Sequence, residues 1–147
     1  MTEDAARSAE SLPRAEFAFP GLLRDQLVAA ILDGCKTSTT SLAIEYQREQ
    51  TPLPTVGDRS VLVDSNDCSV AVLEVTGLRV VRLAEVDLAH VRDEGEGHPS
   101  VAHWRDGHER FWQSSQMRAG LGDPDFTVDD TTHVVLERFR IVTRLLE

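Results

Sequence analysis

The sequence predicts an α+β domain built around a small curled sheet. Three observations carry this. Apolar residues recur at helical spacing over residues 22–33 and again over 100–117. Two Val- and Leu-rich runs, 59–64 and 69–81, flank the turn Ser65-Asn66-Asp67 and read as a hairpin. Gly77 interrupts the second run, as a bulge does in a sheet that bends.

The elements follow in order. Residues 1–16 are polar and charged with no apolar period, and read as a flexible leader to a domain spanning 17–147. Phe17-Ala18-Phe19-Pro20-Gly21 carries a turn signal, and Phe19 either packs on the domain or lines a pocket. Leu23, Leu27, Ala30 and Ile31 mark the buried stripe of a helix that Gly34 terminates. Residues 42–49 suit a short second helix, stopped by Pro52 and Pro54. After the hairpin, 83–91 has helical spacing, and Asp93-Glu94-Gly95-Glu96-Gly97-His98-Pro99 is an acidic, glycine-punctuated link. Ser100 is placed to cap one helix over 100–117. Residues 120–130 read as a loop, and 132–144, β-branched at its start, as a closing strand.

The chain has 147 residues, enough for one domain with a core. No run approaches the roughly 18 apolar residues of a membrane span. The polar start resembles neither a signal nor a transit peptide, so a cytoplasmic address is expected. Cys35 and Cys68, without a CxxC, are expected to be reduced and not to bind metal. A net charge of −10 argues against a broad nucleic-acid-coating face and suits a small or weakly charged ligand.

Within that acidic chain one stretch stands apart. Lys36 is the only lysine, and Thr37, Ser38, Thr39, Thr40 and Ser41 follow it directly. A lysine buried away from other charges would have its pKa lowered by desolvation and could take a proton from a neighbouring threonine. A lysine that stays charged would instead grip a carbonyl oxygen or a phosphate. Glu94 and Glu96, freed by glycines, can reach into a cavity, where one could serve as acid or base. Trp104, His108 and Trp112 recur every four residues and share a helix face, either as core or as the wall of a nucleoside pocket. His90, His98, His103 and His108 lack metal-ligand spacing, so no metal site is expected. The GxGxxG, GxxxxGK[ST] and GxSxG motifs are missing, and no cofactor is expected.

Gly34-Cys35-Lys36-Thr37-Ser38-Thr39 resembles the G-x-K-T-x-T motif of the ASCH domain (ASC-1 homology), a member of the PUA-like superfamily. Three further segments match in order: Thr51 to Asp58 resembles the P-L-P-x-V-G-D turn, Glu94 to Trp112 the E-G-E-G…W-R…H…F-F segment, and Val134 to Val142 the closing E-R-F-x-V-V strand. The resemblance implies a PUA-like β-barrel with helices packed around it and a cleft lined by the lysine motif. The family is generally proposed to bind RNA, and some members are reported as ribonucleases. A small bacterial branch hydrolyses N4-acylated cytidines with a Lys, a Thr and a Glu, which map onto Lys36, Thr39 and Glu96. In that scheme the lysine activates the threonine and the glutamate assists proton transfer. Phe19, Thr37, Ser41, Glu94, Trp104 and His108 are then the candidate substrate contacts, with Ser41 where that branch tends to carry Arg. Two functions stay open: amide hydrolysis on a modified nucleoside, and an RNA-binding module or ribonuclease with Lys36 as a phosphate or base contact.

Overall fold

A computed structural model describes residues 11–145. Of the expected leader, residues 1–10 lie outside the described residues. Arg14–Ala15, at its end, form a two-residue strand, β1, which pairs parallel with β3. There follow α1 (Leu22–Asp33), β2 (Ser38–Leu42), α2 (Ala43–Glu49), β3 (Arg59–Val63) and β4 (Ser69–Arg82). A 3₁₀ turn (Leu83–Glu85) leads to α3 (Leu88–Asp93), α4 (Val101–Trp112), α5 (Ser115–Leu121) and β5 (His133–Arg144).

The strands form one mixed sheet in the order β1-β3-β4-β5-β2. All pairs but β1–β3 are antiparallel. Register shifts at Leu62/Val63, Val72/Leu73 and Val75/Gly77 supply the curl. The last of these is the bend expected at Gly77, where the Arg138 side chain lies 3.5 Å from the position a Cβ would take. The sheet curls without closing into a barrel: β1 and β2 are its two edges among the described residues.

Side-chain alternation on β5 divides the core between the two faces of the sheet. Val134 and Leu136 join Leu42, Leu83 and the fully buried Trp104 and Trp112, so α4 covers this face. Phe139, on the other face, joins Val28 and Ile31 of α1 with Leu62, Val70 and Leu73. No described helix is long and apolar enough to cross a membrane. Both cysteines are free and exposed.

One strand is new and three expectations are corrected by local chemistry. The hydroxyl run after Lys36 contains a strand, β2, paired along its length with β5. The helix expected over 100–117 breaks at Gln113–Ser114, because the Ser114 side chain accepts a hydrogen bond from the Met117 amide and starts a new helix. That second helix runs into the expected loop at 120–130 and ends at Gly122, whose φ of 69° makes it a left-handed cap. The helical pattern over 83–91 is likewise split, with Asp87 capping α3 by accepting from the His90 amide.

Candidate functional site

The site starts where α1 stops. Gly34 takes a left-handed φ of 83°, and the amides of Cys35 and Lys36 both fold back onto the Ala30 carbonyl at 3.0 and 3.1 Å. This turn sends Lys36 inward, where it is 2% exposed. Its Nζ donates to Ser38 O at 2.9 Å, Glu94 O at 3.4 Å and Glu96 Oε2 at 3.2 Å. Three acceptors match the three N–H bonds of an ammonium. Glu94 Oε1 stands 3.8 Å away as well. Of the two readings open for Lys36, the surroundings match the charged one, since Nζ lies against two carboxyl groups.

The acidic segment is pressed onto the lysine turn by backbone contacts. The Thr37 amide and hydroxyl both donate to Asp93 O, at 2.8 and 3.3 Å. Gly95 has φ 65°, and a Cβ placed there would lie 2.1 Å from the Cys35 carbonyl oxygen. Only glycine allows this approach.

Glu94, 1% exposed, is the hub of the cluster. Its Oε2 accepts from Thr40 Oγ1 at 2.5 Å and from His90 Nε2 at 2.9 Å, and its Oε1 faces His108 Nε2 at 3.4 Å. Burial alone would raise the Glu94 carboxyl. Hydrogen bonds from His108 and His90 and the Lys36 charge outweigh it, holding the group well below the usual carboxylate range. Glu96 goes the other way: burial first, then its hydrogen bond with Glu94, push its carboxyl up against the lowering effect of Lys36. Two adjacent carboxyls thus carry opposite shifts, and Glu96 is the one that holds a proton more readily.

His108 Nδ1 donates to Trp104 O at 2.9 Å, and its ring stacks on Trp104 at 4.2 Å. Burial works to lower its pKa, but the Glu94 hydrogen bond and charge raise it overall. A group whose folded pKa is raised stabilises the fold fully below its unfolded value, about 6.5 for histidine, and loses that contribution as pH climbs through the folded value. Urea denaturation is accordingly expected to show stability falling as pH is raised above about 6.5, with His108→Gln removing this share of the dependence. An unchanged pH profile in the variant contradicts the Glu94–His108 pairing.

Of the predicted residues, Lys36, Glu94, Glu96 and His108 converge, and Thr37 clamps the segment that carries the glutamates. Phe19 packs on Phe111, with ring centroids 5.9 Å apart. Trp104 is fully buried beneath His108, so it supports the site without an open face for a ligand. Thr39 does not join the hydrogen-bonded cluster. Along β2, Ser38, Thr40 and Leu42 face α4, whereas Thr39 and Ser41 face the other way. Thr39 pairs with Glu137 in register, and Ser41 Oγ meets Tyr46 OH at 2.9 Å.

Two members of the cluster were not singled out from sequence, Thr40 and His90. The signal for His90 was present, since it lies four residues before Glu94 at the end of a helical pattern. At the rim, His98 Nδ1 lies 2.8 Å from His103 Nδ1. Burial and the neighbouring His108 and His103 lower the His98 pKa.

Glu94, Glu96 and His108 place ligand atoms within 4.8 Å of one another, close enough to hold a metal ion. Lys36 Nζ already lies against both carboxyls, so the arrangement contains its own cation. These residues do not fit a metal site beside that ammonium.

The sequence matches the ASCH domain over residues 16–143. Among solved structures, the ASCH domain from Lactobacillus crispatus JV V101 is similar in fold, with a TM-score of 0.76 at 23% identity over 97% of this chain and 86% of that one. A protein from Enterococcus faecalis V583 is also similar, with a TM-score of 0.76 at 20% identity over 88% of this chain and 75% of that one. No curated protein sequence matches. With the family pattern spanning nearly all of the described chain, this protein belongs to the ASCH domain family.

Proposed function

We propose that this ASCH domain acts on modified nucleosides, hydrolysing the amide of an N4-acylated cytidine. The observation that carries the reading is the buried Lys36 ammonium 3.2 Å from a Glu96 carboxyl whose proton affinity is raised. Hydrolysis of an amide needs a fixed positive charge for the carbonyl oxygen and a group that moves a proton to the leaving nitrogen. Lys36 suits the first task, and Glu96 the second. His108, 15% exposed in its side chain, adds positive charge at the open side of the cluster. Thr39 is the position that family resemblance assigns to attack. A Glu96 carboxylate would take the Thr39 hydroxyl proton and pass that proton to the leaving nitrogen, and water would then hydrolyse the acyl-threonine ester.

A small, weakly charged substrate is favoured over RNA by the state of the arginines. Every described arginine except Arg92 is in an ion pair or donates to a backbone carbonyl. Few guanidinium groups are left to neutralise a phosphate chain, and the net charge is −10.

The test is a panel of acylated nucleosides, N4-acetylcytidine among them, with carboxylate release read by mass. Wild type is expected to turn over at least one, and Glu96→Gln to lose about 10²–10⁴-fold in rate, the usual worth of a positioned acid or base. If no acylated nucleoside is cleaved while RNA is bound with a steep salt dependence, the binding-module reading replaces this one.

A further inference from the structure

The geometry points to Thr40 and His90 as positioning residues, which occupy Glu94 so completely that Glu96 alone of the two carboxyls is left to trade a proton with a ligand. This deepens the reading above by assigning work within the same cluster to two residues outside the Lys-Thr-Glu set. Glu94 Oε2 receives both Thr40 Oγ1 and His90 Nε2, which themselves lie 2.7 Å apart. All three belong to one closed triangle. An anionic Glu94 accepts only, so His90 must carry its proton on Nε2 and Thr40 must donate. Neither side chain is then free to serve as a base or a nucleophile. Glu94 Oε1 is taken by His108 and Lys36. The charged and titratable groups facing the glutamate pair are therefore Lys36 from the turn after α1, His90 from α3 and His108 from α4, with His98 of the α3–α4 link farther out beside His108. The sheet contributes a hydroxyl, Thr40.

The triangle also explains why a threonine stands at 40 between the buried Ser38 and Leu42. A β-branched residue suits the strand. Its hydroxyl lies on the face of β2 that meets α3, where no other described side chain of β2 reaches Glu94. His90 is fixed independently, because its own amide is bound by the Asp87 cap.

Carbon-13 detection of side-chain carboxyls tests this directly and does not depend on finding a substrate. In wild type, titration is expected on Glu96, with the Glu94 carbon flat through the same range. In Thr40→Val, which keeps the shape but not the donor, Glu94 is expected to take a visible share of that titration. Thr40→Ser is expected to restore the wild-type pattern. Where the nucleoside panel shows turnover, the pH dependence of kcat/KM should move in Thr40→Val and return in Thr40→Ser. A wild-type spectrum in which both glutamates titrate together overturns the inference, as does a Glu94 carbon that stays flat in Thr40→Val. Failure of every substrate with the expected carboxyl titrations intact would count against the amide reading and leave this assignment standing.

Discussion

Lys36→Met is expected to cut turnover sharply and to weaken the fold. Removing one preorganised cation from a dry site costs about 10²–10³-fold in kcat. Removing one partner of a buried ion pair costs about 3–5 kcal/mol, because the other charge is left uncompensated. Here three acceptors lose their donor at once, two of them backbone carbonyls in buried contacts. Lys36→Arg is not a rescue: a planar guanidinium with five donors does not fit a pocket that leaves the lysine 2% exposed and satisfies three N–H bonds. The source of the loss can be isolated. If it is the stranded carboxyl, Lys36→Met/Glu96→Gln should recover part of the stability that Lys36→Met lost, measured by urea denaturation. A single variant as stable as wild type would refute the burial argument.

Gly95→Ala is the second large effect, and it acts through the backbone. The alanine Cβ meets the Cys35 carbonyl oxygen at 2.1 Å and the Lys36 amide at 2.9 Å, neither of which can rotate away. The 93–97 segment must lift from the lysine turn, weakening the Thr37–Asp93 and Lys36–Glu94 bonds together. Strain and overpacking of this kind amount to about 2–5 kcal/mol. A displacement near 1 Å lowers catalysis about a hundredfold. Gly97→Ala is the control. Its φ of 80° is equally unfavourable to alanine, yet nothing lies within 4 Å of the added carbon. It should cost only the conformational term, about 1–2 kcal/mol. Equal losses in the two variants would show that close packing at Gly95 is not what matters.

The parts of the fold with contrast between apolar and polar positions were readable from sequence. These include α1 with its glycine cap, the β3–β4 hairpin with its bend at Gly77, and β5. β2 was not readable, for a physical reason. From Thr37 to Ser41 every side chain bears a hydroxyl, so a period of two leaves no hydropathic trace, although Ser38 and Leu42 are buried. The break between α4 and α5 was hidden because no glycine or proline marks it, and a serine cap does the work. The site was legible in outline. Lys36, Glu94, Glu96 and His108, all candidates in the sequence, lie together in the structure. Only the register of β2 shows which of its threonines faces the cluster, and that is Thr40.

The place of β5 in the sheet governs when the site can exist. It is the last element described, yet it lies between β4 and β2. Until it docks, β2 has no strand to pair with, and the Thr37 carbonyl lacks the Phe139 amide that anchors the start of the strand. Lys36 and Glu96, 60 residues apart, are brought together around a strand that leaves the ribosome after both. The cluster thus depends on a long-range closure, the docking of β5 between β4 and β2. A nascent or truncated chain that ends before His133 has every charged residue of the cluster and no frame to hold them together.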